Sequence, residues 1–307
     1  MNKNSLLGTS VILFFSTALW GIFWLPLRHI ESAGISGLWA VFGINVVPLA
    51  ALLPVVFYRR QFFFEKLKTK CLVGICLGGG MAFYAAAILY TTILQTTLLF
   101  YMSPIWATLL SRAILKEKIN AGRWLAIAVG FAGILLILSG EDTSFFSSDL
   151  SRGDVFALLS GLLWGYGTVV VKGSTEIPAI DMVPSQYFWA TIISVVLLAT
   201  TISTQDFRVP DFNQWLNALP IVFGFYVVIT LPTIFICTRC AQILSPGRTC
   251  LLMMSEVLVA GITAPIFAGE KISALEWVAG LMILGATVIE VYSSPGDTEG
   301  NRTNSPD

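Results

Sequence analysis

The chain has 307 residues, of which 56% are hydrophobic and 12% charged, and its 18 basic residues balance 18 acidic ones. A mean hydropathy of +0.80 excludes a water-soluble domain, because such a domain would expose far more apolar surface than soluble proteins tolerate. The charge balance gives no indication of a nucleic-acid partner.

Apolar stretches long enough to cross a bilayer fill almost the whole chain, and the charged residues lie mostly in the short gaps between them. A hydrocarbon core of about 30 Å requires about 20 apolar residues of helix. The pattern therefore predicts an all-α integral membrane protein with ten transmembrane helices. These run roughly over residues 6–27, 35–57, 71–91, 94–115, 121–139, 154–172, 183–203, 215–238, 247–268 and 274–293.

The positions of Lys and Arg predict how the helices are oriented, because short loops rich in these residues stay on the cytoplasmic side. With a cytoplasmic amino terminus, 14 of the 18 basic residues fall in inner segments and 4 in outer loops. Both termini are therefore expected in the cytoplasm, in a multi-pass protein of the inner (plasma) membrane. The polar segment 294–307 is expected to be a disordered cytoplasmic tail.

The first predicted helix carries Trp20 and Trp24 one turn apart and Arg28 near its outer end. Aromatic faces hold apolar or cationic solutes, but aromatic residues also pack helices or line the membrane interface. Arg28 either extends its side chain to the interface or is a gate charge that attracts carboxylate groups. We keep both tryptophans as candidate substrate contacts and Arg28 as a candidate gating residue.

The third predicted helix contains the run Gly78–Gly80, which permits close backbone approach or local unwinding. Gly79 is therefore a candidate substrate contact. Tyr84 in the same helix, with Tyr101 and Ser103 in the fourth, would supply polar contacts to a solute.

Two prolines, Pro104 and Pro232, fall inside the predicted fourth and eighth helices. Each removes a backbone hydrogen bond and bends its helix. Such bends beside a cavity serve as hinges, although prolines also occur in membrane helices for packing alone. Both prolines are candidate gating residues.

The sixth predicted helix repeats the first. The pattern Ser-x-x-Leu-Trp-Gly occurs at residues 16–21 and again at 160–165, and the same offset of 144 aligns Arg28 with Lys172. Trp164 and the nearby Tyr166 are thus candidate substrate contacts. Lys172, like Arg28, is either an interfacial cation or a gate charge.

A second repeat divides the chain into two halves of five helices, residues 6–139 and 154–293. Glu-Lys-Ile at residues 117–119 recurs at 270–272, an offset of 153. Because five is odd, the second half must enter the membrane from the opposite side, which gives two inverted five-helix repeats. Inverted repeats are typical of secondary transporters with a substrate site near the middle of the membrane.

The predicted ninth helix contains Ser255 and Glu256 near its centre, and both are candidate substrate contacts. A carboxylate there is costly unless it faces protein or a water-filled cavity. Three explanations are open for Glu256: it exchanges a proton during transport, it binds the ammonium group of a substrate, or it is a neutral carboxyl group hydrogen-bonded between helices.

The chain resembles the drug/metabolite transporter superfamily, specifically its EamA-type members. The resemblance rests on ten helices in two halves, the early Leu-Trp-Gly, and, in order, Pro104, Glu117-Lys118-Ile119, Trp124, Gly130 and Gly133. It implies a central cavity lined mainly by helices one, three, four, six, eight and nine. It also implies transport of small metabolites such as amino acids. The second half departs from the pattern, because Ser255-Glu256 stands near the position that matches Pro104.

These observations together lead us to expect a secondary transporter that moves an amino acid or related amine by alternating access, with export in exchange for protons. An importer or exchanger of a scarce metabolite is the alternative, and a membrane interaction protein without transport is the alternative of another class. Its partners are then a small-molecule solute, membrane lipid and protons. We expect no enzyme, cofactor or metal site, since the chain has one histidine and an isolated Cys237-x-x-Cys240 pair.

Overall fold

The computed structural model describes residues 3–35, 37–91, 93–139, 151–200, 208–268 and 274–293. Within these ranges the ordered elements are all helices, and no strand occurs. Six helical stretches of the described chain are long and apolar enough to cross a membrane: Ser5–Ser32, Leu38–Tyr58, Leu67–Tyr90, Arg152–Lys172, Ala179–Ala199 and Phe212–Ile243. The remaining apolar helices are shorter or broken. This confirms the prediction of an all-α, multi-span membrane fold.

Apart from the four-residue helix Arg60–Phe63, we number the helices of the described residues α1 to α10 in chain order, and each coincides with a predicted stretch to within a few residues. Single-segment helices are α2 (Leu38–Tyr58), α5 (Ala121–Ser139), α6 (Arg152–Lys172), α7 (Ala179–Ala199) and α10 (Ala274–Ser293). The composite helices are α1 (Lys3–Ala18, Leu19–Ile22, Trp24–Ser32), α3 (Leu67–Val73, Gly74–Gly78, Gly79–Tyr90), α4 (Ile93–Phe100, Ser103–Leu110, Ser111–Leu115), α8 (Phe212–Ile221, Val222–Thr230, Leu231–Ile243) and α9 (Pro246–Met253, Ser255–Ala268).

Helices α4 and α9 are each divided near the middle, where the sequence predicts continuous helices. The regular part of α4 stops at Phe100 and restarts at Ser103, while α9 is interrupted at Met254. Pro104 stands in the first turn after the break in α4, where its missing N–H leaves no bond unmade. The break in α9 has no proline and lies directly before Ser255 and Glu256. Two half-helices therefore start in the interior of the bundle.

Widened π-helical turns occur in α3 at Gly74–Gly78, in α4 at Ser111–Leu115 and in α8 at Val222–Thr230. In α8 the widened segment ends two residues before Pro232, which offers no N–H to the carbonyl group of Val228. The π-helical hydrogen bonds keep the neighbouring backbone groups paired, as a lipid environment requires. Such turns are frequent at functional sites.

The helices pack in pairs that involve both halves of the chain. Helix α5 lies along α10, α2 along α7, and α4 along α9. Helix α3 packs on α6, and α1 packs on α8. Small residues permit such approaches: in the α5–α10 pair, a Cβ atom at Gly133 would stand 3.0 Å from the carbonyl oxygen of Ala279.

Candidate functional site

A central cavity is enclosed by eight of the ten helices. It encloses about 710 Å³ of atom-free space, a figure that includes its open mouth. Helices α2 and α7 contribute to it in addition to the six helices that the resemblance implies. The lining residues are Trp20, Phe23, Ile44, Asn45, Gly80, Met81, Tyr84, Phe100, Trp164, Tyr187, Tyr226, Thr230, Ile234 and Glu256.

Two of the predicted contacts, Trp20 and Trp164, meet in this cavity. Their indole rings pack edge to face with 6.0 Å between centroids. Trp20 Nε1 donates to Thr233 Oγ1 at 2.6 Å, and Trp164 Nε1 donates to Met253 Sδ at 3.3 Å. Because both N–H groups have partners in the protein, the rings offer the cavity mainly apolar and π surface.

The predicted Glu256 also lines the cavity, and it stands in the first turn of the Ser255–Ala268 half-helix. The amino-terminal end of a helix favours negative charge, which explains how a carboxylate is tolerated at this depth. The Tyr101 hydroxyl donates to the carbonyl oxygen of Met253, the last residue before the break in α9, at 3.3 Å. The predicted contact Tyr101 is 2% exposed and does not belong to the lining set.

Three hydroxyl groups of the lining are buried without a hydrogen-bond partner among the described residues: Tyr187 Oη, Tyr226 Oη and Thr230 Oγ1. Buried polar groups are rarely left unpaired. Tyr187 and Tyr226 are each 1% exposed. A water molecule or a solute hydroxyl, carbonyl or amine group would satisfy them.

Tyr84, the fourth predicted contact in the lining, lies on α3 with its ring centroid 4.8 Å from that of Phe100. Its hydroxyl is 3.5 Å from Thr97 Oγ1. The neighbouring Gly80, not Gly79, lines the cavity, since a Cβ atom at Gly79 would face Ile193 and Leu163.

The structure places other predicted contacts away from the lining. Ser103 is fully buried in α4, and Tyr166 lies on α6 outside the lining set. Ser255 joins α9 to α1, because its hydroxyl donates to the carbonyl oxygen of Phe14 at 2.8 Å and lies 3.0 Å from Thr17 Oγ1. The side chain of Trp24 lies outside the described part of the structure, and so does that of the gating candidate Arg28.

The gating candidate Lys172 lies at the end of α6, away from the cavity. Its Nζ atom donates to the carbonyl oxygen of Ile243 at the end of α8, at 2.7 Å. We call this end of the bundle, where α6 and α8 finish and α7 and α9 begin, the Lys172 end.

Further polar contacts tie helices together at the Lys172 end. Arg59, just after α2, makes a two-point ion pair with Asp181 of α7, with distances of 2.6 and 2.8 Å. Hydrogen bonding to this carboxylate raises the pKa of the Arg59 guanidinium. The side-chain amide of Gln242 donates to the carbonyl oxygen of Ile177 at 2.7 Å. Four helices, α2, α6, α7 and α8, are thus held together there.

A second, smaller cavity lies between the central cavity and the Lys172 end. It holds about 220 Å³ of atom-free space and includes Thr168, Gln186 and Thr238 in its lining. The two cavities share Trp164 and Ile234, so these side chains form the partition between them. The Oε1 atom of Gln186 is buried without a hydrogen-bond partner among the described residues.

Asn45, Tyr187 and Tyr226 are lining residues that sequence reasoning missed. Asn45 is the single amide side chain within the apolar α2 helix, and an interior polar residue in a membrane span is a signal of function. Its Nδ2 atom donates to the carbonyl oxygen of Val41 at 2.8 Å and to Ser194 Oγ at 3.2 Å. The two tyrosines gave no such signal, because aromatic residues occur throughout these helices.

The sequence matches a family model described as the EamA-like transporter family in two segments, residues 8–139 and 151–292. The chain is 26% identical over 187 residues to an uncharacterized transporter of Bacillus subtilis, YoaV, covering 59% of this chain and 62% of that protein, which is less than two thirds of its length. It is 24% identical over 209 residues to an uncharacterized transporter of Archaeoglobus fulgidus, covering 68% and 71% of the two chains.

A riboflavin transporter of Rhizobium johnstonii is 31% identical over 98 residues, which cover 32% of this chain and 31% of that protein. Among solved structures, one crystal structure of a protein superposes with a TM-score of 0.68 at 16% identity, covering 93% of this chain and 97% of that one. That likeness concerns the fold alone.

Proposed function

The chain belongs to the EamA-like transporter family, and from this premise we propose that it is a secondary carrier that moves a small amine-bearing metabolite by alternating access. The observation that carries the proposal is the position of Glu256. It is the single acidic residue among the described lining residues, and it stands at the start of a half-helix in an otherwise uncharged, largely aromatic cavity.

Glu256 gives the cavity a means of coupling. A carboxylate deep in a membrane protein is stabilised by a counter-charge, either a proton or a cationic group of the solute. Because the two compete for one carboxyl group, binding of an ammonium group releases the proton, and release of the amine takes one up. This competition would couple the two movements, so that a proton gradient across the membrane would drive amine export in exchange for protons.

The two cavities and the Lys172 end suggest a path for the solute. A molecule in the central cavity would pass the partition of Trp164 and Ile234 to reach the second cavity. Opening at the Lys172 end would break the contact between Lys172 and Ile243 and the contact between Gln242 and Ile177. The ends of α6 and α8 would then separate.

We further propose that residues 6–139 and 154–293 are inverted repeats that move against each other. The match of the family model to two successive segments supports this division. The packing of α3 on α6 and of α1 on α8 supports it too, because an axis that relates the two halves would convert one of these pairs into the other. The excess of Lys and Arg in the even-numbered connections supports cytoplasmic termini and a place in the plasma membrane.

A second candidate function is uptake of a scarce, flat metabolite. The stretch of 98 residues similar to a riboflavin transporter and the aromatic character of the cavity favour it. Such a solute would not need the carboxylate of Glu256. Dependence of transport on this residue therefore separates the two candidates.

The test is transport by the purified protein in vesicles with a trapped pH indicator and an imposed pH gradient. We expect added amines to produce proton movement in the opposite direction, and we expect Glu256→Gln to abolish it while leaving the protein folded. Glu65→Gln is the matched control, since Glu65 is exposed between α2 and α3. Amine movement that is equally coupled in Glu256→Gln would refute proton exchange at this residue.

A further inference from the structure

The charged group in the described lining of the central cavity is acidic, and no basic group accompanies it. Glu256 contributes a carboxyl group, and Lys, Arg and His are absent from the lining that the structure describes. Two basic residues at the ends of lining helices have partners elsewhere: Arg59 pairs with Asp181, and Lys172 donates to the carbonyl group of Ile243. A solute carboxylate would enter this cavity without a counter-charge and beside Glu256.

Two effects make binding of a solute with a carboxylate group unfavourable in this cavity. Moving an ionised carboxylate out of water is unfavourable unless a cation or several donors replace the water. Two carboxylates that share one low-dielectric site also repel each other. An amino acid brings an ammonium and a carboxylate group together, so only one of its two charges is matched here.

The wall of the cavity matches a flat ring. Half of the lining side chains are aromatic, namely Trp20, Phe23, Tyr84, Phe100, Trp164, Tyr187 and Tyr226. Phe100 links two parts of this wall, with ring centroids 4.8 Å from Tyr84 and 6.2 Å from Trp164. Aromatic faces attract both flat rings and cations.

The remaining polar groups of the wall are neutral. The hydroxyl groups of Tyr187, Tyr226 and Thr230 are buried and lack a hydrogen-bond partner among the described residues. Hydroxyl groups both donate and accept, so they satisfy an amine, hydroxyl or carbonyl group of a solute. Because hydroxyl groups are neutral, they leave the negative charge of a solute carboxylate without a positive neighbour in the described lining and beside Glu256.

From these observations we propose that the cavity selects a small aromatic monoamine, with its ammonium group on Glu256 and its ring against Trp20 and Trp164, and discriminates against the same ring system when it carries a carboxylate. This inference rests on the proposed function and narrows its solute from amino acids and amines to amines without an acidic group.

The experiment compares four molecules with one indole ring: tryptamine, tryptophan, indole-3-propionate and tryptophol, which carry a cation, both charges, an anion and no charge. Each is titrated against the purified protein while the thermal midpoint is followed, because a ligand of the native state raises it. We expect tryptamine to have an apparent affinity at least about tenfold higher than tryptophan, and indole-3-propionate to have the lowest.

The variant Glu256→Gln should lower the affinity for tryptamine by about tenfold or more and leave that for tryptophol within about twofold. Retained tryptophol binding reports a folded cavity. Glu256→Asp should restore part of the preference for tryptamine, and Glu65→Gln should change nothing. A preference for tryptamine that persists in Glu256→Gln would assign the selection to another group and overturn the inference.

Transport measurements separate this inference from the proposed function. If tryptophan moves through vesicles in exchange for protons and tryptamine does not, the carrier proposal holds and the selection against carboxylates is wrong. If tryptamine binds with the expected preference but none of the four molecules crosses the membrane, the selection holds and carrier function is wrong. Absence of binding by all four molecules at millimolar concentration overturns the inference.

Discussion

The indole rings of Trp20 and Trp164 meet edge to face, with 6.0 Å between their centroids and 83° between their planes. The two residues occupy the same place in a sequence pattern that recurs after 144 positions. Their contact is what two helices related by a twofold axis through the cavity would produce. One ring of the pair, Trp164, also belongs to the partition between the two cavities.

Trp164→Ala should therefore weaken binding of an aromatic amine by about tenfold or more, because both the stacking surface and the partition are lost. Trp164→Phe keeps one aromatic ring but loses the second ring of the indole and the contact from Nε1 to Met253 Sδ, so it should retain more of the affinity than Trp164→Ala. Calorimetric titration with tryptamine measures both effects. Equal losses in the two variants would contradict a contribution from an aromatic ring at this position.

Binding of an amine should depend on pH through Glu256. The ammonium group binds the ionised carboxylate, so protonation of Glu256 at low pH should lower the affinity, by up to about tenfold per pH unit. Above the pH at which Glu256 ionises, the affinity should level off for as long as the amine stays charged. Titrations of tryptamine from acid to alkaline pH should show this slope, and Glu256→Gln should be flat. An affinity that rises on acidification would contradict the competition between proton and amine.

The fold could be predicted from the sequence because membrane spans are specified by their length and apolar composition. The predicted stretches 121–139 and 274–293 coincide with α5 and α10 at both ends. The breaks in α4 and α9 were not predictable in the same way. The residues next to Met254 include no proline or glycine, so the local sequence does not indicate the interruption in α9.

Part of the candidate site could be predicted from the sequence, for reasons that differ between residues. Glu256 was conspicuous because a carboxylate inside a span is costly. Trp20 and Trp164 were indicated by the repeat. Tyr187 and Tyr226 line the same cavity, but which face of a helix points inward is hard to determine when all faces are apolar.

A buried ion pair links α5 to α10. Arg123 Nε lies 3.1 Å from Glu290 Oε1, and the two side chains are 5% and 0% exposed. Arg123→Met should lower the free energy of unfolding by about 3 kcal/mol, because it leaves the Glu290 charge buried without this partner. Adding Glu290→Leu should recover most of that loss. Thermal unfolding in detergent gives the comparison, and additive losses in the double variant would argue against the pairing.

Opening at the Lys172 end should become easier when its contacts are removed. Lys172→Met eliminates the hydrogen bond to the carbonyl oxygen of Ile243, a charged contact worth about 1.5–3 kcal/mol. Cys237 lines the second cavity and is buried in the present conformation. Modification of Cys237 by a membrane-permeant maleimide should therefore be about tenfold faster in Lys172→Met than in the unchanged protein. Mass spectrometry of the peptide that contains Cys237, after digestion of the reacted protein, measures the rate.

The control for this opening is Arg112→Gln, which removes a cation from an exposed position in α4. It should leave the modification rate of Cys237 unchanged. Equal acceleration in both variants would indicate a general loss of stability. An unchanged rate in Lys172→Met would mean that this contact does not hold the end closed.

Close approach of α3 to α7 depends on Gly78, because an added Cβ atom would collide with the backbone carbonyl group of Gln186. Backbone cannot rotate aside as a side chain does, so Gly78→Ala should destabilise the protein by about 1–3 kcal/mol. Gly8→Ala is the matched change in α1, where a Cβ atom would meet nothing within 4 Å. It should be neutral or stabilise the helix by up to about 1 kcal/mol. Thermal unfolding midpoints that fall equally in both variants would exclude a specific contact at Gly78.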